Sequence, residues 1–431
     1  MIQKVRKAYN SSPGKIFTAF ADQGLLSAAN FTFGILVIKL SSKQDYGLYV
    51  LAYSVIMLAV GLQNALVNTQ VTVLSPQKKS VERRQFTFSL YFGQYLYWIP
   101  LTLLTLVVFL FLRSQEALSF QTSSLILTTT ATTFIYFLRE YNRTISFLNL
   151  EPFKVLLQDF VFVFVWFCSF FLLVHYFPEK AYFLLAVSAI GVASLIISLI
   201  MTVLYVKDVT DPRLQQKAAL KECWANGKWS LLGVIITRIE AQSYVYLLSF
   251  LKGVENTASA NAARQFFMPI VLLSVSFGRI FRPKWAIVKV EGKGTKVLPD
   301  ATKEVAVIVT LILAYTILVS LAAKTVIPLV FTKEYFDSIP YLLIWAIYFS
   351  LNIAVTTSSL VLQVYEKFKQ ITYVSAVTAT VTVLSTFFCV EYFGGYGSIV
   401  SMCLGQFLLL ILLKVQVGKI DFEIQPRSSS V

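Results

Sequence analysis

The chain has 431 residues, 57% of them hydrophobic, and a formal charge of +15. With a mean hydropathy of +0.70, this excludes a soluble globular domain or a disordered chain and leaves an integral membrane protein. The basic residues gather in alternate loops between apolar stretches, so the charge reflects topology and attraction to anionic lipid, not nucleic-acid binding.

About 20 apolar residues cross a bilayer as a helix. The apolar stretches predict twelve spans, near 17–39, 47–72, 86–112, 119–138, 154–176, 181–206, 229–250, 257–278, 304–331, 338–365, 370–391 and 396–416. The first lacks the short apolar core and small-residue cleavage site of a signal peptide and is read as retained. Loops on one side, with both termini, hold 28 of the 37 Lys and Arg; loops on the other hold 7, and Arg238 and Arg264 fall inside spans. The positive-inside rule places the rich side, and both ends of the chain, in the cytoplasm.

Six spans precede the polar stretch 207–228 and six follow it. This predicts an N-terminal six-helix lobe over 1–206, a cytoplasmic linker over 207–228, a C-terminal six-helix lobe over 229–416 and a cytoplasmic tail over 417–431. Segment 213–228 can form an amphipathic helix on the inner membrane surface, with Leu214, Ala218, Cys223 and Trp224 available for one face. The halves echo each other weakly: Gly14-Lys15 opens span 1 and Gly227-Lys228 opens span 7. Pro76 with Lys78-Lys79 follows span 2, and Pro283-Lys284 follows span 8. Six is even, so both halves enter from the same side, related by a pseudo-twofold axis along the membrane normal. In transporters such halves rock around a central site.

An ionisable side chain inside a span costs a few kcal/mol, about 3 on insertion scales, so it faces a cavity or a partner. Arg238 in span 7 has Gln242 four residues on, sharing its face; Arg264 in span 8 is flanked by Asn261 and Gln265. Two roles stay open for these arginines: holding a phosphorylated cargo through their planar forks, or stitching the lobes by salt bridges. Glu240 lies about 200° around the helix from Arg238, so the two do not share a face. Asp22 in span 1 is a candidate partner for Arg238. Either acid is a candidate for lobe pairing or for binding a coupling H+ or Na+. Polar stripes recur at helical spacing: Gln23, Ser27 and Asn30; Asn64 and Asn68; Asn352, Thr356, Ser359 and Gln363. They suit cavity lining or interhelical hydrogen bonds. Arg139, Glu140 and Arg143 close span 4 at the cytoplasmic surface, as an interfacial anchor with a local ion pair or as a gate.

Catalytic signatures are missing from the sequence: it has no glycine-rich phosphate loop, paired-His metal motif or nucleophile elbow. His175 is the one histidine, near the outer end of span 5, where an interfacial role suffices. Cys168, Cys223, Cys389 and Cys403 show no metal-ligand spacing and are expected to be free thiols. The outer loops are too short and too poor in acids for a membrane glycosyltransferase or polymerase. The chain is expected not to be an enzyme and to need no cofactor beyond a coupling ion.

Three patterns carry a resemblance across essentially the whole chain. They are Asp22-Gln23 … Ser27 … Asn30-Phe31 … Asp45-Tyr46-Gly47-Leu48-Tyr49, then Arg139-Glu140-Tyr141, then Ala262-Ala263-Arg264 leading to Pro269. The chain resembles the polysaccharide-export branch of the multidrug/oligosaccharidyl-lipid/polysaccharide (MOP) exporter superfamily, and within it the Wzx-type O-antigen flippases. The resemblance implies an all-α integral membrane protein with twelve transmembrane helices in two lobes around a central cavity, worked by alternating access. It implies a bacterial inner membrane, membrane lipids and an undecaprenyl-diphosphate-linked oligosaccharide as partners, and other polysaccharide assembly proteins nearby. A cation-coupled multidrug antiporter of the same fold is the second reading, favoured if cavity acids outnumber arginines.

Overall fold

The computed structural model describes residues 12–115, 119–177, 181–206, 216–271, 297–365 and 367–424, with Trp285 and Val288. Every long element among them is a helix. The order is α1 (Ser12–Leu40), α2 (Lys43–Gln63), α3 (Thr69–Leu74), α4 (Ser80–Gly93), α5 (Tyr95–Ser114), α6 (Phe120–Leu148), α7 (Pro152–Tyr176), α8 (Tyr182–Val206), α9 (Gln216–Lys252), α10 (Val254–Gln265), α11 (Val297–Val330), α12 (Ile339–Val364) and α13 (Phe368–Ile424).

Nine of these stretches are long and apolar enough to cross a membrane, among the described residues. The predicted twelve reconcile with nine for physical reasons. Spans 11 and 12 are continuous in α13, which folds back at Gly394, φ 55° and ψ −133°. That backbone conformation is accessible to glycine because it lacks a Cβ. Span 4 is α6, a full-length helix whose seven threonines, among them Thr128-Thr129-Thr130 and Thr132-Thr133, and whose charges at 139–143 lower its hydropathy. Span 8 is described only to residue 271. There α10 stops at Gln265, just before Pro269, whose ring would collide with the carbonyl four residues back and which has no N–H to donate.

Span 2 carries a local widening. Residues Asn64–Asn68 form a π-turn between α2 and α3. Side-chain amides bond within it: Asn68 Nδ2 donates to Asn64 Oδ1 at 2.6 Å and Gln70 Nε2 to the Ala65 carbonyl at 3.1 Å. Such turns cluster at functional sites in helices generally.

Contacts divide the chain into two compact units: Met1–Phe33 with Leu40–Arg238, and Gly34–Lys39 with Ile239–Val431. The first unit is cored by α2, α6, α7 and α8, with Phe33 ringed by Trp166, Phe167 and Phe170 at 4.3–5.5 Å between centroids. In the second unit, Trp285, Val297, Leu360, Leu362, Leu413 and Val417 pack together between α11, α12 and the end of α13.

The division falls inside α9, not in the expected linker. Residues 207–215 lie outside the described residues, and 216–228 are the start of the same helix that contains span 7. This start packs on the first unit. Tyr97 donates its hydroxyl hydrogen to the Leu220 carbonyl, Lys78 pairs with Glu222 at 3.0 Å, and Gly227 abuts Ala65 and Gln70. Its residues divide between faces differently from the grouping expected from sequence. Cys223 is fully buried against the protein while Trp224 is 47% exposed, so the two do not share an apolar face. The expected tail also begins in helix, since α13 runs on to Ile424.

Candidate functional site

Charged residues inside the spans fall into separate groups, one of which the sequence pointed to only in pieces. In the first unit, α1, α6 and α7 converge on a buried ionic cluster. Arg143 Nη2 lies 2.9 Å from Asp22 Oδ2, its Nε 2.7 Å from Asp159 Oδ2, and its Nη1 3.4 Å from Glu140 Oε2. Arg139 reaches Asp159 and Glu140, each at 2.6 Å. Its guanidinium also lies 3.8 Å from the centre of the Phe162 ring and hydrogen-bonds the Tyr136 hydroxyl at 2.7 Å. Asp22 and Asp159 are fully buried, and Arg139 is 2% exposed. Gln23 Nε2 borders the cluster, 3.4 Å from Asp22 Oδ2.

Two expectations are corrected here. Asp22 is neutralised by Arg143, not by Arg238. Arg139, Glu140 and Arg143 are not a surface anchor with a local pair: Arg139 is buried and pairs with Asp159 of α7, while Arg143 pairs with Asp22 of α1 and Asp159 of α7 as well as with Glu140. The physical reason is helix length. The apolar run of span 4 ends at 138, but α6 continues to Leu148, which carries the arginines past α1 and α7. Asp159 was missed altogether. Its signal was an acid five residues into the predicted span 5, whose cost demands a cation nearby.

The remaining polar candidates separate. Asn30 donates to the Leu26 carbonyl at 2.8 Å and accepts from the Tyr53 hydroxyl at 3.1 Å. Asn68 is buried and spends its amide on Asn64. Both already act as hydrogen-bond links within the helices. Gln242 is half-buried on α9, and His175 is exposed at the end of α7.

In the second unit, Glu240 is 8% exposed and accepts from Thr382 Oγ1 at 3.4 Å; among the described residues it makes no ion pair. Arg264 is half-buried at the end of α10. Its Nη1 lies 3.4 Å from the Tyr244 hydroxyl, and its guanidinium 5.8 Å from the centre of the Trp345 ring. The Tyr244 hydroxyl in turn donates to Asn261 Oδ1 at 3.2 Å, and Trp345 Nε1 donates to the Ala260 carbonyl at 2.9 Å. Asn261 and Gln265 are buried beside it. Arg264 thus sits on an aromatic platform fixed by its own hydrogen bonds.

Arg238 is different. It is exposed, inside the apolar stretch Leu231–Lys252, with no carboxylate in ion-pair range among the described residues. Its side chain lies along Gly61 of α2, where a Cβ would come 3.0 Å from Nε. Gly61 is three residues before the π-turn.

No protein family and no curated protein matches the chain. Solved structures do. A multidrug resistance MATE family transporter of the MOP superfamily, in its inward-facing conformation, superposes with TM-score 0.70 at 16% identity over 93% of this chain and 96% of that one. The lipid II flippase MurJ, in an inward closed conformation, gives 0.73 at 12% identity over 94% and 88%. A MOP superfamily transporter from Pyrococcus furiosus gives 0.62 at 14% identity over 95% of each chain. The protein is therefore a multi-pass membrane protein with the all-α fold of these transporters. Those structural neighbours are transporters and a flippase rather than enzymes.

Proposed function

We propose that the chain is a flippase that moves an undecaprenyl-diphosphate-linked oligosaccharide, an O-antigen or other surface polysaccharide unit, across a bacterial inner membrane by alternating access. Arg238 carries the reading. An exposed guanidinium in the middle of an apolar span, without a carboxylate partner among the described residues, needs an aqueous path or an anionic cargo. A diphosphate satisfies it, since the guanidinium fork binds two phosphate oxygens at once. Arg264, braced by Tyr244 and Trp345, is the second anion-binding candidate, with Gln23, Gln242 and Gln265 as hydroxyl partners for the sugar. The fold shared with a lipid flippase supports the same reading, as does the positive-inside pattern that puts both termini in the cytoplasm.

A cation-coupled multidrug antiporter is the second reading. It is favoured by Glu240, a buried acid whose described partner is a threonine hydroxyl rather than a cation.

The test is transport by the purified protein in sealed vesicles. A polyprenyl-diphosphate oligosaccharide is supplied on one side and its appearance on the other is followed. Wild type is expected to move it, and Arg238→Ala and Arg264→Ala to abolish the movement while melting like wild type. Proton- or sodium-driven efflux of a cationic dye, with no movement of lipid-linked sugar, would overturn the flippase reading in favour of the antiporter.

A further inference from the structure

The first three turns of α9 carry a basic face. Lys217, Lys221, Trp224 and Lys228 are all exposed, and at helical geometry they fall within an arc of about 60°. On the other side of the same turns, Ala219, Leu220 and Cys223 are buried against the first unit, with Gly227 beside Ala65. The segment's one acid, Glu222, is turned to Lys78 at 3.0 Å. Followed along the helix, the basic stripe runs onto Leu232, Ile239 and Phe250, which are 52%, 40% and 84% exposed. These are exposed apolar side chains of a stretch long and apolar enough to cross a membrane. Arg238 lies about 40° beyond the edge of this arc, on the side that packs on Gly61.

One helix face therefore passes from apolar, at Ile239 and Leu232, to basic, at Lys228, Lys221 and Lys217, with Trp224 among the lysines. This is the sequence of environments met on leaving the hydrocarbon for the headgroups of an anionic leaflet. The geometry points to Lys217, Lys221 and Lys228, with Trp224 as interfacial anchor, as a binding site for anionic phospholipid headgroups, held on the first unit by Lys78, Tyr97 and Gly227. Charge complementarity selects the occupant: three lysines on one face match the phosphates of an anionic leaflet, and the adjoining apolar stripe matches acyl chains. The site is independent of what the protein carries.

The test uses the full chain in detergent micelles with phosphatidylglycerol or phosphatidylcholine added, the retained lipids being counted by native mass spectrometry. Wild type is expected to retain phosphatidylglycerol in preference. The Lys217→Gln/Lys221→Gln/Lys228→Gln triple is expected to lose that preference, by about fivefold per lysine removed. The triple Lys→Arg variant and Lys333→Gln are expected to keep it. In wild type but not in Trp224→Phe, brominated phosphatidylglycerol should quench fluorescence more than brominated phosphatidylcholine does; this reading stands even if the glutamine triple folds poorly. Equal retention of both lipids by wild type and the glutamine triple would overturn the site. Displacement of the lipid by millimolar inorganic phosphate would overturn lipid as the occupant and leave a plain phosphate site.

Discussion

Replacing Arg143 by glutamine removes, among the described residues, the one cation within reach of Asp22. Arg143 serves Asp22, Asp159 and Glu140 at 2.9, 2.7 and 3.4 Å, whereas Arg139 reaches only Asp159 and Glu140. After the substitution, Asp159 and Glu140 keep a cation and Asp22, fully buried, has none. A buried ion pair broken from one side costs about 3–5 kcal/mol, because the charge left behind keeps its desolvation penalty without its attraction. Equilibrium unfolding in mixed micelles, followed by tryptophan fluorescence, measures the loss. Asp22→Asn placed on top should recover a large part of it, since no charge is then stranded, giving a coupling of about 1–3 kcal/mol in the double-mutant cycle. A loss for Arg143→Gln below about 1 kcal/mol, the worth of an exposed pair, would refute the buried cluster. So would strict additivity of the two substitutions.

Three further outcomes follow from the geometry. Gly61→Val places branched carbon against the Arg238 side chain, where even a Cβ comes 3.0 Å from Nε; lipid-linked sugar transport should fall severalfold with the melting temperature little changed, as vesicle assays and thermal melts together would show. Gly394→Ala forces a side chain onto φ 55° and ψ −133°; it should cost about 1–3 kcal/mol in the same unfolding assay, against little for Gly418→Ala, which meets nothing within 4 Å. Burial pushes the Cys223 thiol up to about 12, so at neutral pH it should resist a soluble maleimide in the folded protein and react once the protein is denatured, read by mass spectrometry.

How much of this was legible beforehand differs element by element. Arg238 and Arg264 stood out because a guanidinium in an apolar run is costly wherever the helix is placed, and that cost is a property of sequence. The opposition of Arg238 and Glu240 followed from helical periodicity alone. The cluster around Arg143 was not legible. Its members come from 22, 139–143 and 159, and nothing local says that α1 and α7 meet α6 at that height. The end of span 4 misled for a related reason: hydropathy reports where apolar residues stop, while backbone hydrogen bonding and packing carried α6 on to Leu148. The faces of segment 216–228 were assigned by composition, and only packing against Ala65, Gln70 and Tyr97 showed that Cys223 turns inward and Trp224 outward.

The sequence by itself determined the class. Long apolar runs have no stable state in water, and in lipid their backbone groups must bond within helices. Tertiary structure decided which charges meet, that α9 is shared between the two units, and that α13 turns back at Gly394. Periodicity gives the direction of a side chain around its own helix, whereas a contact also requires the rotation and offset of the neighbouring helix, which side-chain packing alone sets.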